Sequence, residues 1–386
     1  MRIAGVASAF PSHYYTQQQI AAELKAHWTA KVGKPEVLDR LLARVGVDGR
    51  YMALPLQAYD RLTTWGKAND AWIEIAEALA EKSLCRALTR AGISVQDLAA
   101  IFFVSVTGIA SPSIDARLVN RMGLPPAIKR IPIFGLGCVA GAAGIARAAD
   151  YVRAYPNQYV ALVSVELCSL TWQRDDLSLA NIISSGLFGD GAASVIVAGD
   201  QAAPSGSSVA EAGAGAAPSR LAGPKEGRYG APAKDGIVPQ CPAPRILSSR
   251  SSFYPGTEDV MGWNVSEKGF TIVLSPDVPR MVYDHLAADV EAFLADNGLR
   301  HGDIEHWVMH TGGPKILEAT ASALQLPPGA LDVSWECLRK VGNLSSASVL
   351  LVLEEFMNVR RPAPGSYGLL AAMGPGFCSE LVLLRW

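Results

Sequence analysis

Residues 130–167 read RIPIFGLGCVAGAAGIARAADYVRAYPNQYVALVSVEL, and this stretch decides the fold. It opens on an extended segment and continues into CVAGAAGIARAADYVRAYP (138–156), whose small residues and final Pro156 predict a helix. YVALVSVEL (159–167) is rich in β-branched residues and predicts a buried strand. An extended segment, a helix and a buried strand in succession indicate an α/β protein.

The same alternation continues on both sides of this stretch. The pattern predicts helices over 69–91, 277–299 and 345–358, and strands over 101–108, 192–199, 245–254, 305–313, 367–377 and 379–386. Strands that alternate with helices predict a mainly parallel sheet covered on both faces. Each half also supplies a small-residue helix and a reactive residue at an element boundary, so we expect an internal duplication.

Between the two halves lies a segment of different composition. Residues 200–245 are rich in Ala, Gly, Pro and Ser and contain almost no large apolar residues, which predicts a long surface loop. A lid or partner-binding segment is possible there, but a tolerated insertion is the plainer interpretation. The expected organisation is a first half over 1–199, the insertion loop over 200–245, and a second half over 246–386.

The composition restricts the function classes. The chain has 386 residues, 49% of them hydrophobic, and a formal net charge of −2, so it can build a large core and has no basic excess for nucleic acid. Its six cysteines include no CxxC pair, which predicts reduced thiols in a cytoplasmic protein and no metal site. No apolar run is long enough for a membrane span.

Cys138 lies between glycines in FGLGCVAGAAG, at the predicted start of a helix. Glycines permit a tight strand-to-helix turn, and the free amides and dipole of a helix N-terminus favour a thiolate. A free cysteine is otherwise most often a small buried hydrophobe. The setting of Cys138 favours a nucleophile.

The same stretch contains a loose dinucleotide-binding pattern, GLGCVA at 135–140. It follows extended chain and opens a helix, as that motif requires. However, Cys138 occupies the place nearest a pyrophosphate, and the next acid, Asp150, comes earlier than a ribose-binding acid usually does. Dinucleotide binding is therefore the weaker interpretation.

Two polar residues in the second half have settings that suit catalysis. His310, in VMHTGGPKIL, follows an apolar strand and precedes a Gly-Gly turn through which a ligand can approach the backbone. Asn343, in VGNLSSASVLLV, lies beside Gly342 just before a buried helix. A satisfied core histidine and a helix N-cap are the plain structural interpretations of these two residues.

Together these segments resemble a known family. GCVAG around Cys138, HTGGPKIL around His310 and GNLSSASV around Asn343 are similar, in the same order, to the catalytic segments of the type III polyketide synthases, also called the chalcone synthase superfamily. LFGDGAAS (187–194) and MGPGF (373–377) resemble two further family motifs. The resemblance implies a thiolase fold, which is an α/β fold with duplicated αβαβα layers and mixed five-stranded sheets, in a homodimer.

The resemblance also implies a chemistry. Cys138 would take an acyl group from coenzyme A, held ionised by the helix terminus and by His310 as imidazolium. A malonyl thioester would then lose CO2, and His310 and the Asn343 amide would stabilise the enolate oxygen. The resulting carbanion would attack the acyl group on Cys138. No metal or redox cofactor is expected.

Coenzyme A requires a basic entrance. Arg40 and Arg44, one helical turn apart in VLDRLLARVG (37–46), resemble the family's basic coenzyme-A-binding positions, although a solvated helix face would have the same pattern. Gly312 and Gly313 belong to the same implied site. Lys315 departs from the small residue often found after GGP, and we hypothesise that it contacts a phosphate.

The implied substrate pocket departs from the plant enzymes. Phe188 is similar to one gatekeeper at the tunnel mouth, whereas Ile272 takes the place of the second, aromatic gatekeeper. Cys168 and Trp263 replace small residues. The other implied substrate-binding positions are Ser345, Gly374, Pro375 and Gly376.

These departures resemble bacterial members that accept fatty acyl starters. We therefore expect an acyltransferase that repeatedly condenses malonyl-CoA onto a medium or long acyl-CoA and closes the chain to an alkylresorcinol or alkylpyrone. The alternative is a ketoacyl synthase III-like enzyme that performs a single condensation.

Overall fold

The computed structural model describes residues 1–32, 35–204 and 243–386. Its strands are β1 (Arg2–Ala9), β2 (His13–Thr16), β3 (Gly49–Met52), β4 (Leu98–Val104), β5 (Lys129–Ile133), β6 (Tyr159–Leu167), β7 (Asp190–Ala198), β8 (Arg245–Phe253), β9 (Met261–Ser266), β10 (Gly269–Leu274), β11 (Ile304–Met309), β12 (Tyr367–Gly374) and β13 (Cys378–Arg385). Its helices are α1 (Gln17–Val32), α2 (Pro35–Ala43), α3 (Trp65–Ala91), α4 (Ile114–Met122), α5 (Ala140–Ala154), α6 (Leu179–Leu187), α7 (Val278–Asp296), α8 (Pro314–Ala323), α9 (Asp332–Val341) and α10 (Ser348–Glu355).

Nine strands form one mixed sheet in the order β11-β12-β13-β8-β1-β7-β6-β4-β5. The two halves of the chain meet in the middle of this sheet, where β1 pairs with β8. Two backbone hydrogen bonds extend this junction, from Ile3 N to Pro244 O and from Ile246 N to Met1 O, at 2.9 and 3.1 Å. The predicted α/β class with a mixed sheet is confirmed.

Both halves use the same strand arrangement. In each, the first strand pairs antiparallel with the last (β1 with β7, β8 with β13), and the last pairs antiparallel with the strand before it (β6, β12). That strand pairs parallel with its outer neighbour, β4 or β11. Within the described residues the first half supplies five strands of the sheet and the second half four.

The expectation of a mainly parallel sheet is wrong. Only β4–β5, β4–β6 and β11–β12 pair parallel among the described neighbours. The last strand of each half instead pairs antiparallel with the strand before it. In the second half β13 follows β12 after the turn at 374–378, too short for the crossover that parallel pairing requires, whereas in the first half α6 lies between β6 and β7.

The buried helices α5 and α10 bring the two halves together. Each follows a 3₁₀ turn, Gly137–Val139 before α5 and Ser345–Ala347 before α10. A Cβ on Gly141 would lie 2.2 Å from the carbonyl oxygen of Ser346. Because glycine has no Cβ, the first turn of α5 can contact the backbone that leads into α10, and the two 3₁₀ turns become neighbours.

The outer helices cover the remaining faces of the sheet. In the first half, α3 packs on β1, β7 and β6, begins after the N-cap Thr64 and ends at Gly92, the end that the sequence predicts. In the second half, α7 and α8 pack against each other and enclose a separate apolar cluster. Most of the predicted insertion loop lies outside the described residues. No helix in the described ranges combines the length and the apolar character that crossing a membrane requires.

The contact at Gly141 generates a stability prediction. Gly141→Ala should lower the free energy of unfolding by about 1–3 kcal/mol, because the added methyl group overlaps a backbone carbonyl. Gly66, in the first turn of α3, is the matched control, since the nearest atom to a Cβ there is 3.9 Å away. Urea denaturation of both variants is the measurement. Equal effects of the two substitutions would contradict the close contact of α5 with the α10 turn.

Candidate active site

A cavity of about 430 Å³ lies between the carboxyl ends of β11 and β12 and helices α2, α6, α7 and α8. Cys138, His310 and Asn343 all line it. Each of the three is buried, with at most 8% of its surface exposed. The structure thus brings together the three residues that the sequence selected from opposite halves of the chain.

Cys138 sits in the 3₁₀ turn that precedes α5. Its Sγ donates to Ser345 Oγ at 3.7 Å. A Cβ on Gly137 would lie 2.7 Å from the ring of Pro375, and one on Gly374 would lie 2.7 Å from the Val139 amide nitrogen. The Gly-Pro-Gly turn therefore packs directly on the nucleophile turn. The cavity is not lined by the predicted substrate-binding residues Gly374, Pro375 and Gly376. They form the turn that packs on the nucleophile turn.

His310 follows β11 at its carboxyl end, where its amide donates to Ala371 O at 3.0 Å. Its Nδ1 is buried and has no hydrogen-bond partner among the described residues. The imidazole is therefore oriented by packing and by its backbone rather than by a carboxylate. Gly312 and Gly313, in the turn that follows, also line the cavity, as expected.

The side-chain amide of Asn343 has a defined orientation. Its Oδ1 accepts from Ser345 N at 2.8 Å and from Ser348 Oγ at 3.2 Å. Because both donors face the oxygen, the hydrogen-bond network assigns the nitrogen to the opposite side, where Nδ2 donates weakly to Gly312 O at 3.4 Å. An amide held this way presents an N–H donor toward the His310 loop.

Ser345 has a strained backbone beside the nucleophile. Its φ is +46°, a region that residues other than glycine rarely adopt. This conformation directs its amide to Asn343 and its hydroxyl to Cys138. Strain of this kind is found at functional sites. Ser345 does not line the cavity itself, so it contacts the nucleophile from within the protein.

Burial shifts the pKa values of Cys138 and His310 in the directions that favour their neutral forms. Burial raises the pKa of the Cys138 thiol to about 12, although the Ser345 hydrogen bond opposes this shift. Burial lowers the pKa of His310 to about 4. Both shifts oppose the predicted thiolate–imidazolium pair, because each charge would lie away from water.

A buried acidic side chain, Glu166, bonds to the turn that carries Ser345 and Ser346. Glu166, in β6, accepts from Thr107 Oγ1 at 2.9 Å and from Val106 N at 3.2 Å, and its other oxygen accepts from Ser346 Oγ. Burial raises its pKa to about 7. Through Ser346, Glu166 connects the turn that carries Ser345 to β6. Sequence analysis did not select Glu166, although its place in the predicted buried strand YVALVSVEL (159–167) is a signal that could have found it.

The entrance of the cavity carries two cations. Arg44 and Lys315 line it, and both are exposed. Arg40 does not line it, and its Nε donates to Glu36 O at 3.4 Å on the exposed face of α2. Helix α2 ends at Ala43, so Arg44 leaves the helix and turns toward the cavity. Of the two predicted arginines, the structure brings only Arg44 to the site.

The predicted pocket residues divide into two groups. Phe188 lines the cavity, whereas Cys168, Trp263 and Ile272 do not. Trp263 and Ile272 are cross-strand partners in the β9–β10 hairpin, and the pair Met261–Leu274 two residues along is the one that reaches the cavity. A two-residue step along a strand covers about 7 Å on the same face. The sequence therefore predicted the correct face of the hairpin. The residues of that face that line the cavity are Met261 and Leu274, two positions away from the predicted Trp263 and Ile272.

Other side chains complete the site. Trp263 instead packs on Phe270, with ring centroids 6.0 Å apart, and Cys168 is buried in the turn after β6. The apolar walls come mainly from α6 and α7, and they include Ile183, Leu187, Val278, Val282 and Leu286. The four-residue spacing of 278, 282 and 286 predicts one helix face, but not that this face meets a cavity.

One group of described residues has ligand types that a metal could use. Single ligand atoms of Glu23, His27 and Asp60 lie within 4.8 Å of one another. Asp60 also pairs with Arg174 at 2.5 Å, so a cation would compete with an existing ion pair. None of the three lines the cavity, and the group is explained as a surface ion-pair cluster.

Comparison with known proteins places this site in a family. The N-terminal domain of chalcone and stilbene synthases matches residues 2–201, and the C-terminal domain of these enzymes matches residues 245–386. The chain belongs to the chalcone and stilbene synthase family. Members of this family, the type III polyketide synthases, are acyltransferases that condense malonyl-CoA, and the ketoacyl synthase III alternative is set aside.

Individual relatives cover the whole chain. A 1,3,6,8-tetrahydroxynaphthalene synthase of Streptomyces peucetius subsp. caesius is 44% identical over 100% of this chain and 93% of its own length. A putative chalcone synthase of Bacillus subtilis (strain 168) is 33% identical over 100% of this chain and 98% of its own. The crystal structure of the tetrahydroxynaphthalene synthase of Streptomyces coelicolor A3(2) matches with a TM-score of 0.85 at 28% identity, covering 100% of this chain and 99% of that one.

The raised pKa of Cys138 can be tested by alkylation. We expect the rate of carbamidomethylation of Cys138 by iodoacetamide to rise about tenfold per pH unit between about pH 6 and about pH 9, since only the thiolate reacts. Peptide mass spectrometry would separate Cys138 from the other thiols. A rate that is already constant below about pH 7 would indicate a thiolate–imidazolium pair instead.

Proposed function

We propose that this type III polyketide synthase loads an acyl group onto Cys138 and extends it by repeated decarboxylative condensation with malonyl-CoA. The single observation that carries this proposal is one cavity with Cys138, His310 and Asn343 along its lining and two cations at its entrance. A nucleophile and two hydrogen-bond donors are the groups that acyl transfer and enolate formation require.

Loading begins with a neutral pair. As the sulfur of Cys138 attacks the thioester carbonyl of an acyl-CoA, its proton passes to His310. The tetrahedral intermediate then expels coenzyme A, which leaves as a thiol with the proton that His310 held. The products are an acyl thioester on Cys138 and a neutral imidazole. Burial favours this cycle, because no charge remains in the site once the step is complete.

Decarboxylation uses the two donors. The bond between the carboxylate and the α-carbon of malonyl-CoA breaks, CO2 leaves, and the electron pair forms an enolate. The imidazole N–H of His310 and the Nδ2 of Asn343 stabilise the enolate oxygen. Because Asn343 is oriented by Ser345 and Ser348 before substrate binds, the donor does not reorganise during the reaction.

Condensation completes the cycle. The enolate carbon attacks the thioester carbonyl on Cys138, the carbon–sulfur bond breaks, and a chain two carbons longer leaves on coenzyme A. The sulfur leaves as a thiolate and takes a proton from solvent, which restores the neutral thiol. Reloading onto Cys138 permits another extension. The bonds made and broken balance without an oxidant, so we propose that coenzyme A thioesters suffice and that no metal or redox cofactor takes part.

For the starter we propose a medium or long acyl-CoA and closure to an alkylresorcinol or alkylpyrone. The support is the apolar wall of the cavity, formed by the α6 and α7 side chains and by Met261 and Leu274. Burying each methylene of an acyl chain against such a surface contributes about 0.8 kcal/mol. We further propose that the enzyme is a cytoplasmic homodimer, as the family resemblance implies.

A second candidate product is favoured by one specific observation. The Streptomyces peucetius relative, 44% identical along the whole chain, is named for 1,3,6,8-tetrahydroxynaphthalene. This chain would then use malonyl-CoA as both starter and extender. The two candidates share the loading and decarboxylation steps and differ in the first acyl group, the number of extensions and the ring closure.

Product analysis tests the function and separates the two candidates. The purified protein is incubated with malonyl-CoA alone, and with malonyl-CoA plus acyl-CoAs from acetyl to stearoyl, beside a Cys138→Ala control. We expect multiply extended alkylresorcinols or alkylpyrones that are absent from the control. Tetrahydroxynaphthalene from malonyl-CoA alone would select the second candidate. Only singly extended products, or no acyl transfer to Cys138, would overturn the proposed function.

The entrance cations generate a second prediction. Arg44→Ala and Lys315→Ala should each raise KM for malonyl-CoA about three- to fivefold with little change in kcat, because an exposed cation contacts a phosphate equally in the ground and transition states. Arg40→Ala is the matched control and should leave KM unchanged. Steady-state kinetics is the measurement. A KM increase for Arg40→Ala alone would show that coenzyme A enters along the exposed face of α2.

A further inference from the structure

An isolated β-bridge joins the two halves of the chain at the cavity. Phe188, which ends α6 in the first half, pairs in parallel with Asn343 of the second half. The amide of Asn343 donates to Leu187 O at 3.0 Å, and the amide of Gly189 donates to Asn343 O at 2.9 Å. The position of the Asn343 donor therefore depends on the segment 187–189, which a different part of the chain must hold.

A buried guanidinium holds that segment. Arg50, in β3, has no exposed surface. Its Nη1 donates to Gly186 O at 2.6 Å and its Nη2 donates to Ser185 O at 2.5 Å. These carbonyls belong to the last turn of α6, where helix carbonyls lack partners within the helix and the dipole favours a cation.

The stem of Arg50 also lies against the bridge. A Cβ on Gly189 would lie 3.3 Å from Arg50 Cβ, and a Cβ on Gly342 would lie 3.4 Å from Arg50 Cδ. These glycines flank the bridge, one on each strand. Arg50 therefore contacts the backbone on both sides of the Phe188–Asn343 pair, while it does not line the cavity.

Two further polar groups complete this arrangement. Gln17 Oε1 accepts from Arg50 Nη1 at 2.5 Å, and Gln17 Nε2 donates to Gly186 O at 3.1 Å. On the other side of the bridge, Asp190 accepts from the backbone amides of Ala53 and Ser169 at 2.5 and 2.9 Å. Segment 187–189 is thus held at its start by Arg50 and at its end by Asp190.

A surface function does not explain Arg50. Removing a guanidinium from water carries a large desolvation penalty unless its donors are satisfied. Burial lowers the pKa of Arg50 to about 10, an effect that the nearby Asp190 opposes. The group therefore stays charged at neutral pH, and its planar donors match two adjacent carbonyls, which a single ammonium group cannot do.

We propose that Arg50 is a positioning residue for the decarboxylation step, which fixes the Asn343 donor through the α6 carbonyls and the Phe188–Asn343 bridge. This inference rests on the proposed function. Arg50 touches no substrate, and it does not contact Cys138. It should therefore affect enolate formation far more than acyl loading.

The experiment measures the two half-reactions separately in the full-length protein. Arg50→Lys and Arg50→Met are compared with the parent for three properties: the rate of acyl transfer from hexanoyl-CoA to Cys138 by intact mass, the rate of malonyl-CoA decarboxylation to acetyl-CoA, and the thermal midpoint. We expect decarboxylation kcat to fall about ten- to a hundredfold, since a displacement of about 1 Å can cost that much. The KM for malonyl-CoA and the loading rate should remain within about twofold.

Two other variants make the result specific. Gln17→Leu removes one partner of Arg50 at a half-buried site and should reduce decarboxylation about threefold, which keeps the proposal testable if Arg50→Met does not fold. Arg90→Lys is the matched control, because Arg90 Nη1 also donates to a backbone carbonyl, that of Val6, at 2.5 Å. It should leave the ratio of the two half-reactions unchanged.

The outcomes are distinct. A selective loss of decarboxylation in the Arg50 and Gln17 variants supports the proposal. Equal losses of loading and decarboxylation, or an unchanged ratio in a folded Arg50 variant, would overturn it and leave the proposed function intact. A parent protein that neither loads hexanoyl-CoA nor decarboxylates malonyl-CoA would overturn both.

Discussion

The structure depends on one close approach of backbone to backbone. Gly141, in the first turn of α5, lies against the carbonyl of Ser346 with no room for a Cβ between them. This contact makes the 3₁₀ turns before α5 and α10 neighbours, and the turns carry Cys138 and Ser345. Because each turn belongs to a different half of the chain, the nucleophile meets its polar partners only when both halves have packed.

The same packing sets the electrostatics of the site. Dense packing holds Cys138 and His310 in place and also removes water from them. This burial raises the pKa of Cys138 and lowers the pKa of His310, so both shifts favour the neutral forms. In the proposed mechanism the neutral forms add no charge of their own to the cavity, and the charge that Asn343 and His310 stabilise is that of the enolate.

Two buried ionisable side chains hold residues of the site in place from outside the cavity. Glu166 and Arg50 both lie outside the cavity lining, and each bonds to backbone or hydroxyl groups that carry a residue of the site. Glu166 holds the turn of Ser345 from below, and Arg50 holds the end of α6 beside Asn343. Buried polar groups that bond to neighbouring groups in this way favour one geometry, whereas apolar packing would tolerate several.

The sequence by itself determined the α/β class, most elements of the sheet, and the three residues Cys138, His310 and Asn343. These depend on local information: apolar periodicity, glycine turns and residues that end elements. Only the tertiary structure decided which side chains share the cavity. The antiparallel pairing of the last strand of each half, the turn of Arg44 away from Arg40, and the step along the hairpin that favours Met261 over Trp263 all depend on contacts between distant segments, which no local pattern encodes.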